Sequence, residues 1–170
     1  LSTDGEPLRF ARYPLVYLVE AADDICYQLM DIEDAHKLKL LTTDETVELL
    51  MGFLNERKQQ RAKEVFSAVS DTNEQIAYLR STIVGLLIGE CTNVFMEHEE
   101  EILAGTFEGS LIKRMCPTLK QAYENCSTVA IRRIYRSKDV LDVELAGYRV
   151  ISTLIDLMIE AVTHPDKTYS

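Results

Sequence analysis

The chain has 170 residues, of which 28 are acidic and 18 basic, so its formal net charge is −10. This length suits one domain with a sizeable core, and a hydrophobic content of 46% excludes a disordered tail. The acidic balance disfavours nonspecific binding to nucleic acid or to an anionic membrane, because both require clustered lysines and arginines.

Apolar residues recur at spacings of three and four along almost the whole chain, which predicts helices. Tyr13-Pro14 opens the first helix, and the Thr42-Thr43-Asp44-Glu45 sequence is a start signal for the second. The predicted helices cover, in chain order, about 14–40, 43 onward, 55–69, 74–104, 118–135 and 137–162. No run alternates in the manner of a strand. The sequence therefore predicts an all-α fold of about six or seven helices without significant sheet, forming a single unit over residues 1–170.

The cysteines and the hydropathy pattern bear on the compartment. None of the four cysteines belongs to a C-x-x-C pair, which predicts reduced, buried thiols in a cytoplasmic protein. No apolar run reaches the roughly 18 residues that a membrane span needs, and no export signal is visible. We therefore expect no membrane partner.

The first helix carries an unusual concentration of acids. Between Arg12 and Lys37 there is no lysine or arginine, whereas six carboxylates are present: Glu20, Asp23, Asp24, Asp31, Glu33 and Asp34. Exposed helices usually mix charges of both signs, and aspartate is a poor residue within a helix. We therefore expect these acids, called the acidic stripe below, to face a divalent cation, polar substrate groups or basic side chains from elsewhere. Leu18, Ala22, Ile25, Leu29 and Ile32 fall on the opposite half of the helix, which we expect to be buried.

Within the acidic stripe, Asp23, Tyr27 and Asp31 follow an i, i+4, i+8 ladder on one face. At 1.5 Å per residue this ladder spans about 12 Å, the length of a nucleoside with its first phosphate. A carboxylate can ligate a divalent cation, and a tyrosine offers a flat ring and a hydroxyl. A second aspartate can accept a hydrogen bond from a sugar hydroxyl. The ladder therefore has the chemistry of a nucleotide site.

Three stretches carry a resemblance to a known family. They are residues 14–35 (PLVYLVEAADDICYQLMDIEDA), 102–107 (ILAGTF) and 143–151 (VELAGYRVI). The first closely resembles the segment of bacterial deoxyguanosine triphosphate triphosphohydrolases that supplies the last metal-binding aspartate of their HD domain. The order and approximate spacing of all three agree with that family over nearly the whole chain.

The resemblance implies an HD-domain-like helical bundle and hydrolysis of dGTP, or another deoxynucleoside triphosphate, to the deoxynucleoside and inorganic triphosphate. In that family two histidines and two aspartates hold a divalent ion, Mg²⁺ or Mn²⁺, which activates water or polarises the α-phosphate. By position, Asp23 would be the last metal ligand, Tyr27 would pack on the deoxyribose and Asp31 would meet the 3′-hydroxyl. Supporting roles would fall to Glu20, Asp24 and Asp34. The resemblance also implies a homo-oligomer, with nucleic acid at most a regulator.

The chain departs from the family at the earlier metal ligands. In the family a histidine and a His-Asp pair precede the last aspartate. Here His36, His98 and His164 all follow Asp23, and none is followed by aspartate. We therefore expect the chain to be the C-terminal portion of a longer enzyme. With no catalytic residue of its own and one metal ligand of four, it should be inactive alone and hold metal weakly or not at all.

Two other classes of protein share features with this sequence. All-α isoprenoid synthases use DDxxD motifs. In a motif that starts at Asp23, the fifth position is Tyr27 and not an aspartate, and the sequence has no second aspartate-rich motif with flanking bases. The other class is a non-catalytic helical interaction or oligomerisation module whose acidic stripe docks on a basic partner. Sequence upstream of this chain discriminates, because the enzyme requires a histidine and a His-Asp pair there.

Overall fold

The structure is a computed structural model that describes residues 10–164, apart from the side chain of Asp139. These residues form eight α-helices and one π-helical turn, with no strand among them. The all-α prediction is confirmed. In chain order the helices are α1 (Val16–Lys37), α2 (Thr43–Met51), α3 (Glu56–Ala68), α4 (Thr72–Glu97), α5 (Glu99–Ala104), α6 (Leu111–Arg114), α7 (Pro117–Val129), a π-helical turn (Ala130–Ile134) and α8 (Lys138–Thr163).

Capping side chains explain where three of these helices begin. At α2, the backbone N–H of Glu45 donates a hydrogen bond to the Thr42 hydroxyl oxygen, with N and O 3.3 Å apart. In return, the backbone N–H of Thr42 donates to the Glu45 carboxylate at 2.8 Å. Asn55 caps α3 and Asp71 caps α4 through their side-chain oxygens. Each cap satisfies a backbone donor that the first turn of a helix leaves unpaired. The start signals that the sequence shows at Thr42-Thr43-Asp44-Glu45 and at Ser70-Asp71-Thr72-Asn73 are confirmed, whereas the cap at Asn55 was not predicted.

The helix count exceeds the predicted six or seven for two reasons. The segment predicted as one helix over 74–104 is broken at His98, whose backbone leaves the helical region with φ −109° and ψ 17°. Glu99, Glu100 and Glu101 thereby fall in the first turn of α5, where the helix dipole stabilises negative charge, and not at the end of a longer helix. The second reason is α6, a single turn that lacks a periodic pattern long enough to detect.

The core of the chain is centred on the packing of α1 against α4, supported by α2, α6 and α7. The side chains that α4 buries are Ile76, Leu79, Ile83, Leu87, Cys91 and Val94. From α1, the buried side chains are Tyr17, Ala21, Ile25, Gln28, Leu29, Ile32 and Ala35. The prediction that Leu18 and Ala22 lie on the buried face is wrong, because both are exposed. The buried face is rotated by one residue, toward Tyr17 and Ala21.

The chain divides into two compact units, Leu1–Ala130 and Ile131–Ser170. That residues 1–170 behave as a single domain stays a prediction. The second unit consists mainly of α8, a helix of 26 residues. It exposes a long series of large apolar side chains, which are Leu141, Val143, Leu145, Tyr148, Val150, Ile151, Leu154, Ile155, Leu157, Met158, Ile159 and Val162.

The four cysteines are free thiols, as the sequence predicts. The prediction that they are buried is right for Cys91 and Cys126 and wrong for Cys26 and Cys116, which are exposed. Burial raises the pKa of Cys126 to about 12 and, together with the charges of Glu90 and Asp24, raises that of Cys91 to about 11. Both thiols are therefore protonated and unreactive at neutral pH. Among the described helices, none is sufficiently long and apolar to cross a membrane.

Candidate functional site

The site forms where the N-terminal half of α1 meets the loop between α5 and α6. The Tyr17 hydroxyl donates to the Phe107 carbonyl at 3.0 Å, and the two rings meet edge to face with centroids 5.1 Å apart. This geometry is favourable for an aromatic pair, and the hydrogen bond satisfies the buried hydroxyl. About two turns further along α1, the Tyr123 hydroxyl of α7 donates a hydrogen bond to the backbone carbonyl of Asp24 at 3.1 Å. These contacts fix the position of α1 beside the loop.

The segment before α1 lies against the same loop. Gly105 ends α5 in the left-handed conformation, with φ +72°, and a Cβ at this position would lie 2.7 Å from the Cβ of Ala11. Glycine is therefore required there both by backbone conformation and by space. Next to this contact, Phe10 to Arg12, Tyr17 and residues 105–109 line an open cavity of about 660 Å³.

A smaller cleft of about 320 Å³ is lined by three carboxylates of the acidic stripe, Glu20, Asp23 and Asp24 of α1. Its other lining residues are Arg12, before α1, Gly109 and Ser110 in the loop between α5 and α6, and Lys113 in α6. Acidic and basic side chains therefore face one small space. This charged cleft brings together three of the predicted site residues.

Ion pairs engage three carboxylates of the acidic stripe, through Arg12, Arg80 of α4 and Lys37 at the end of α1 itself. Arg12 pairs with Glu20 at 3.0 Å. Glu33 pairs with Lys37 at 2.9 Å and with Arg80 of α4, and Lys37 also reaches Asp34 at 3.4 Å.

These ion pairs narrow the functional interpretation of the acidic stripe. Basic side chains from outside α1 are thus present for Glu20 and Glu33, as expected, whereas the cation beside Asp34 is Lys37 of the same helix. Among residues 10–164, neither Asp23 nor Asp24 has an ion pair or a side-chain hydrogen bond. The chemistry of the stripe therefore centres on these two adjacent aspartates.

The Asp24 carboxyl is destabilised in its charged form. Partial burial raises its pKa above the ordinary value of 3.8, and the negative charges of Asp23 and Glu20 raise it further. The folded chain therefore binds this proton more tightly than the unfolded chain does. It follows that the Asp24 charge lowers stability at neutral pH, and that this cost disappears as the pH falls below the ordinary pKa.

Replacement of Asp24 by asparagine is therefore expected to stabilise the fold near neutral pH. Removing a like charge beside Asp23 and Glu20 should raise the free energy of unfolding by about 0.3–0.5 kcal/mol, a small value because the site is largely solvated. Urea unfolding at neutral and acidic pH measures the effect, and the gain should vanish below the ordinary pKa. Glu64→Gln, an exposed change on α3, is the matched control. A gain that persists at acidic pH would contradict this explanation.

The rest of the predicted ladder lies further along α1. Asp23, Tyr27 and Asp31 are all within one uninterrupted helix, so the i, i+4, i+8 arrangement is retained. Tyr27 is 65% exposed, whereas Asp31 is half-buried, and neither lines the charged cleft. Asp34 lies beyond them in its ion pair with Lys37. The roles assigned to these residues by the family resemblance stay predictions.

A divalent cation requires several converging ligands, so the donor set of the chain decides whether it fits. In the described part of the chain, no group of three or more His, Cys, Asp or Glu side chains is arranged to hold a metal ion. Although Glu20, Asp23 and Asp24 share the charged cleft, Glu20 is engaged by Arg12. Residues 10–164 alone therefore do not fit a metal centre.

Arg12, which directly precedes the acidic helix, is a residue that the sequence places near an anionic ligand, but sequence reasoning missed Lys113, the other cation of the charged cleft. Lys113 follows Asp23 by 90 residues, so no local pattern connects them. The family resemblance of residues 102–107 does not indicate that the loop after α5 lies beside α1. The approach of that loop to α1 depends on the long-range Tyr17–Phe107 contact, which the sequence does not display.

The described part of the chain is helical, with no strand, and carboxylates and basic side chains line one cleft in it. Comparison with known proteins shows which proteins this chain is similar to. A deoxyguanosinetriphosphate triphosphohydrolase-like protein of Pseudomonas aeruginosa strain LESB58 is 30% identical over 148 residues, covering 87% of this chain and 33% of the relative. A protein of the same name from Synechocystis sp. strain PCC 6803 is 29% identical over 159 residues, covering 90% of this chain and 33% of the relative.

These relatives support assignment of the chain to a deoxyguanosinetriphosphate triphosphohydrolase-like family, and the resemblance found in the sequence is confirmed. No protein-family model matches the chain. The chain spans about a third of the length of the curated relatives it matches. The activity of the whole protein is therefore a proposal.

Proposed function

We propose that this chain is the C-terminal portion of a metal-dependent deoxynucleoside triphosphate triphosphohydrolase, which converts dGTP or a related nucleotide and water to the deoxynucleoside and triphosphate. The observation that carries the proposal is the pair of aspartates, Asp23 and Asp24, in a cleft beside α1, where neither forms an ion pair with any of residues 10–164. The similarity to deoxyguanosinetriphosphate triphosphohydrolase-like proteins supports it.

In this proposal the chain contributes one metal ligand and the sugar contacts. Asp23 is the ligand for Mg²⁺ or Mn²⁺, and the remaining ligands come from a histidine and a His-Asp pair outside this sequence. The exposed ring of Tyr27 packs on the deoxyribose. Asp31, one turn further along α1, accepts a hydrogen bond from the 3′-hydroxyl of the sugar. Glu20 and Asp24 place further negative charge beside Asp23. Asp34 stabilises α1 through its ion pair with Lys37.

Product analysis tests the proposed reaction. The reading frame that contains this chain together with its upstream sequence is expressed, incubated with dGTP and Mn²⁺, and the products are separated by chromatography. Equal amounts of deoxyguanosine and triphosphate are expected. Release of monophosphate or diphosphate would contradict the proposed reaction, as would an upstream sequence without a histidine and a His-Asp pair.

Tyr27 provides a prediction specific to the sugar contact. Replacing Tyr27 by alanine in the longer enzyme should raise KM for dGTP about tenfold, because the ring buries apolar surface against the sugar and this burial contributes about 25 cal/mol per Å². Tyr27→Phe is the matched control, since it keeps the ring, and its KM should stay within about threefold of the original. Steady-state kinetics measure both. Equal effects of the two variants would show that the ring does not hold the sugar.

We also propose a cytoplasmic homo-oligomer. The support for association is the series of exposed apolar side chains along α8, since apolar patches of this extent commonly mark protein contacts. The free thiols agree with a reducing compartment. Nucleic acid enters the proposal only as a regulator, because the chain has a net charge of −10.

A further inference from the structure

The charged cleft contains side chains of both signs. Glu20, Asp23 and Asp24 of α1 contribute the carboxylates, and Arg12 and Lys113 contribute the cations. Only one pair among these five charges is joined by an ion pair, Arg12 with Glu20. At about 320 Å³ the cleft reaches the lower end of the volumes that small-ligand sites occupy.

Arg12 retains donors for a ligand. Its two hydrogen bonds, to Glu20 at 3.0 Å and to the Gly109 carbonyl at 3.2 Å, both leave from the same nitrogen, Nη1. A guanidinium has five N–H donors. Within residues 10–164, Nε and Nη2 therefore have no hydrogen-bond acceptor. The contacts of Nη1, together with the Tyr17 ring 5.5 Å from the guanidinium carbon, hold the group at the cleft.

Lys113 is the second cation. It lies in α6, is exposed, and lines the cleft together with Asp23 and Asp24. In the described part of the chain its ammonium group has no ion pair or hydrogen bond. A lysine ammonium and a guanidinium with unused donors are the groups that proteins use most often to bind phosphate oxygens.

We propose that Lys113 and Arg12 form a polyphosphate subsite in the charged cleft, which binds the phosphate chain of a nucleoside triphosphate or the released triphosphate. The proposal rests on the proposed function and specifies which part of the substrate lies next to Asp23. The carboxylates repel an anion, so Lys113 and Arg12 hold the phosphate oxygens, and the chain of phosphates lies on their side of the cleft.

Binding of inorganic tripolyphosphate to the 170-residue chain, measured by titration calorimetry at low salt, tests the subsite. Lys113→Met should weaken binding about tenfold, because it removes one charge-assisted contact. Lys63→Met, which removes an exposed lysine of α3, is the matched control and should leave binding unchanged. Arg12→Gln should weaken binding to a similar extent, with circular dichroism used to check that the chain stays folded. Titration with deoxyguanosine separates phosphate from nucleoside binding, and Lys113→Met should not affect it.

Tripolyphosphate affinities that are equal in Lys113→Met and Lys63→Met would overturn the subsite, as would the absence of saturable tripolyphosphate binding to the unmodified chain. These outcomes are independent of the proposed reaction. If the longer enzyme fails to produce deoxyguanosine while tripolyphosphate binding still depends on Lys113, then the reaction is wrong and the subsite stands. If deoxyguanosine is produced and the Lys113 substitution leaves tripolyphosphate binding unchanged, then the reaction stands and the subsite is wrong.

Discussion

Replacing Asp23 by asparagine in the longer enzyme is expected to lower kcat/KM for dGTP by about 10³-fold or more, the scale on which loss of one electrostatic contact to a reacting group acts. Asparagine has nearly the same shape as aspartate but lacks the negative charge that a divalent cation requires. Because the Asp23 carboxylate is exposed and has no ion pair among the described residues, the folded structure loses nothing by the change. Release of triphosphate measures the effect.

The control for this prediction is Asp44→Asn. Asp44 is an exposed aspartate in the first turn of α2, outside the charged cleft, and its replacement should leave kcat/KM unchanged. Thermal unfolding of both variants separates loss of activity from loss of structure. An Asp23→Asn enzyme that keeps more than about a tenth of the original kcat/KM would contradict the role assigned to this residue.

The second large effect concerns stability. Leu29→Ala should lower the free energy of unfolding by about 3 kcal/mol, since it leaves a cavity in the packing of α1 against α4. Leu29 is only 1% exposed. For a chain of this size the melting temperature should fall by roughly 10 °C. Thermal and urea unfolding monitored by circular dichroism measure both quantities.

Met30 supplies a neighbouring control on the same helix. It is 52% exposed, so Met30→Ala removes little buried surface, and we expect a change within about 0.5 kcal/mol. If the two variants lost the same stability, α1 would not be held by the buried face that the structure describes. Because Asp23, Tyr27 and Asp31 lie on this helix, a loosened α1 should also weaken the proposed site.

Much of the fold could be predicted from local sequence. The start signals at Thr42 and Asp71 succeeded because a cap is a contact between residues two or three positions apart. The break at His98 was missed because the apolar pattern continues across it, while the distribution of glutamates along the helix dipole favours two helices.

The rotation of α1 shows why hydrophobicity alone was insufficient. Leu18 is more apolar than Tyr17, yet Tyr17 is the buried residue. The Tyr17 hydroxyl donates a hydrogen bond to the Phe107 carbonyl, and the Tyr17 ring packs on the Phe107 ring. That partner is 90 residues away. Long-range partners of this kind cannot be read from a helical period.

The candidate site was predicted in part for the same reason. The acidic residues that line the charged cleft stood out, since Glu20, Asp23 and Asp24 lie within five residues of one another on one helix. Which carboxylates of the stripe are paired could not be predicted, because Arg80 reaches Glu33 from α4, and Lys113 enters the cleft from α6 without an ion pair to Asp23 or Asp24 among the described residues. The role of Asp23 as the centre of the site stays a proposal.

The central claim is that Asp23 is one ligand of a metal site whose other ligands lie outside this sequence. Titration of Mn²⁺, followed by electron paramagnetic resonance, tests it on three samples: the 170-residue chain, the longer enzyme, and the longer enzyme with Asp23→Asn. We predict one tightly bound Mn²⁺ in the longer enzyme and none in the other two. Tight, stoichiometric Mn²⁺ binding by the 170-residue chain alone would contradict the claim, as would undiminished binding after Asp23→Asn.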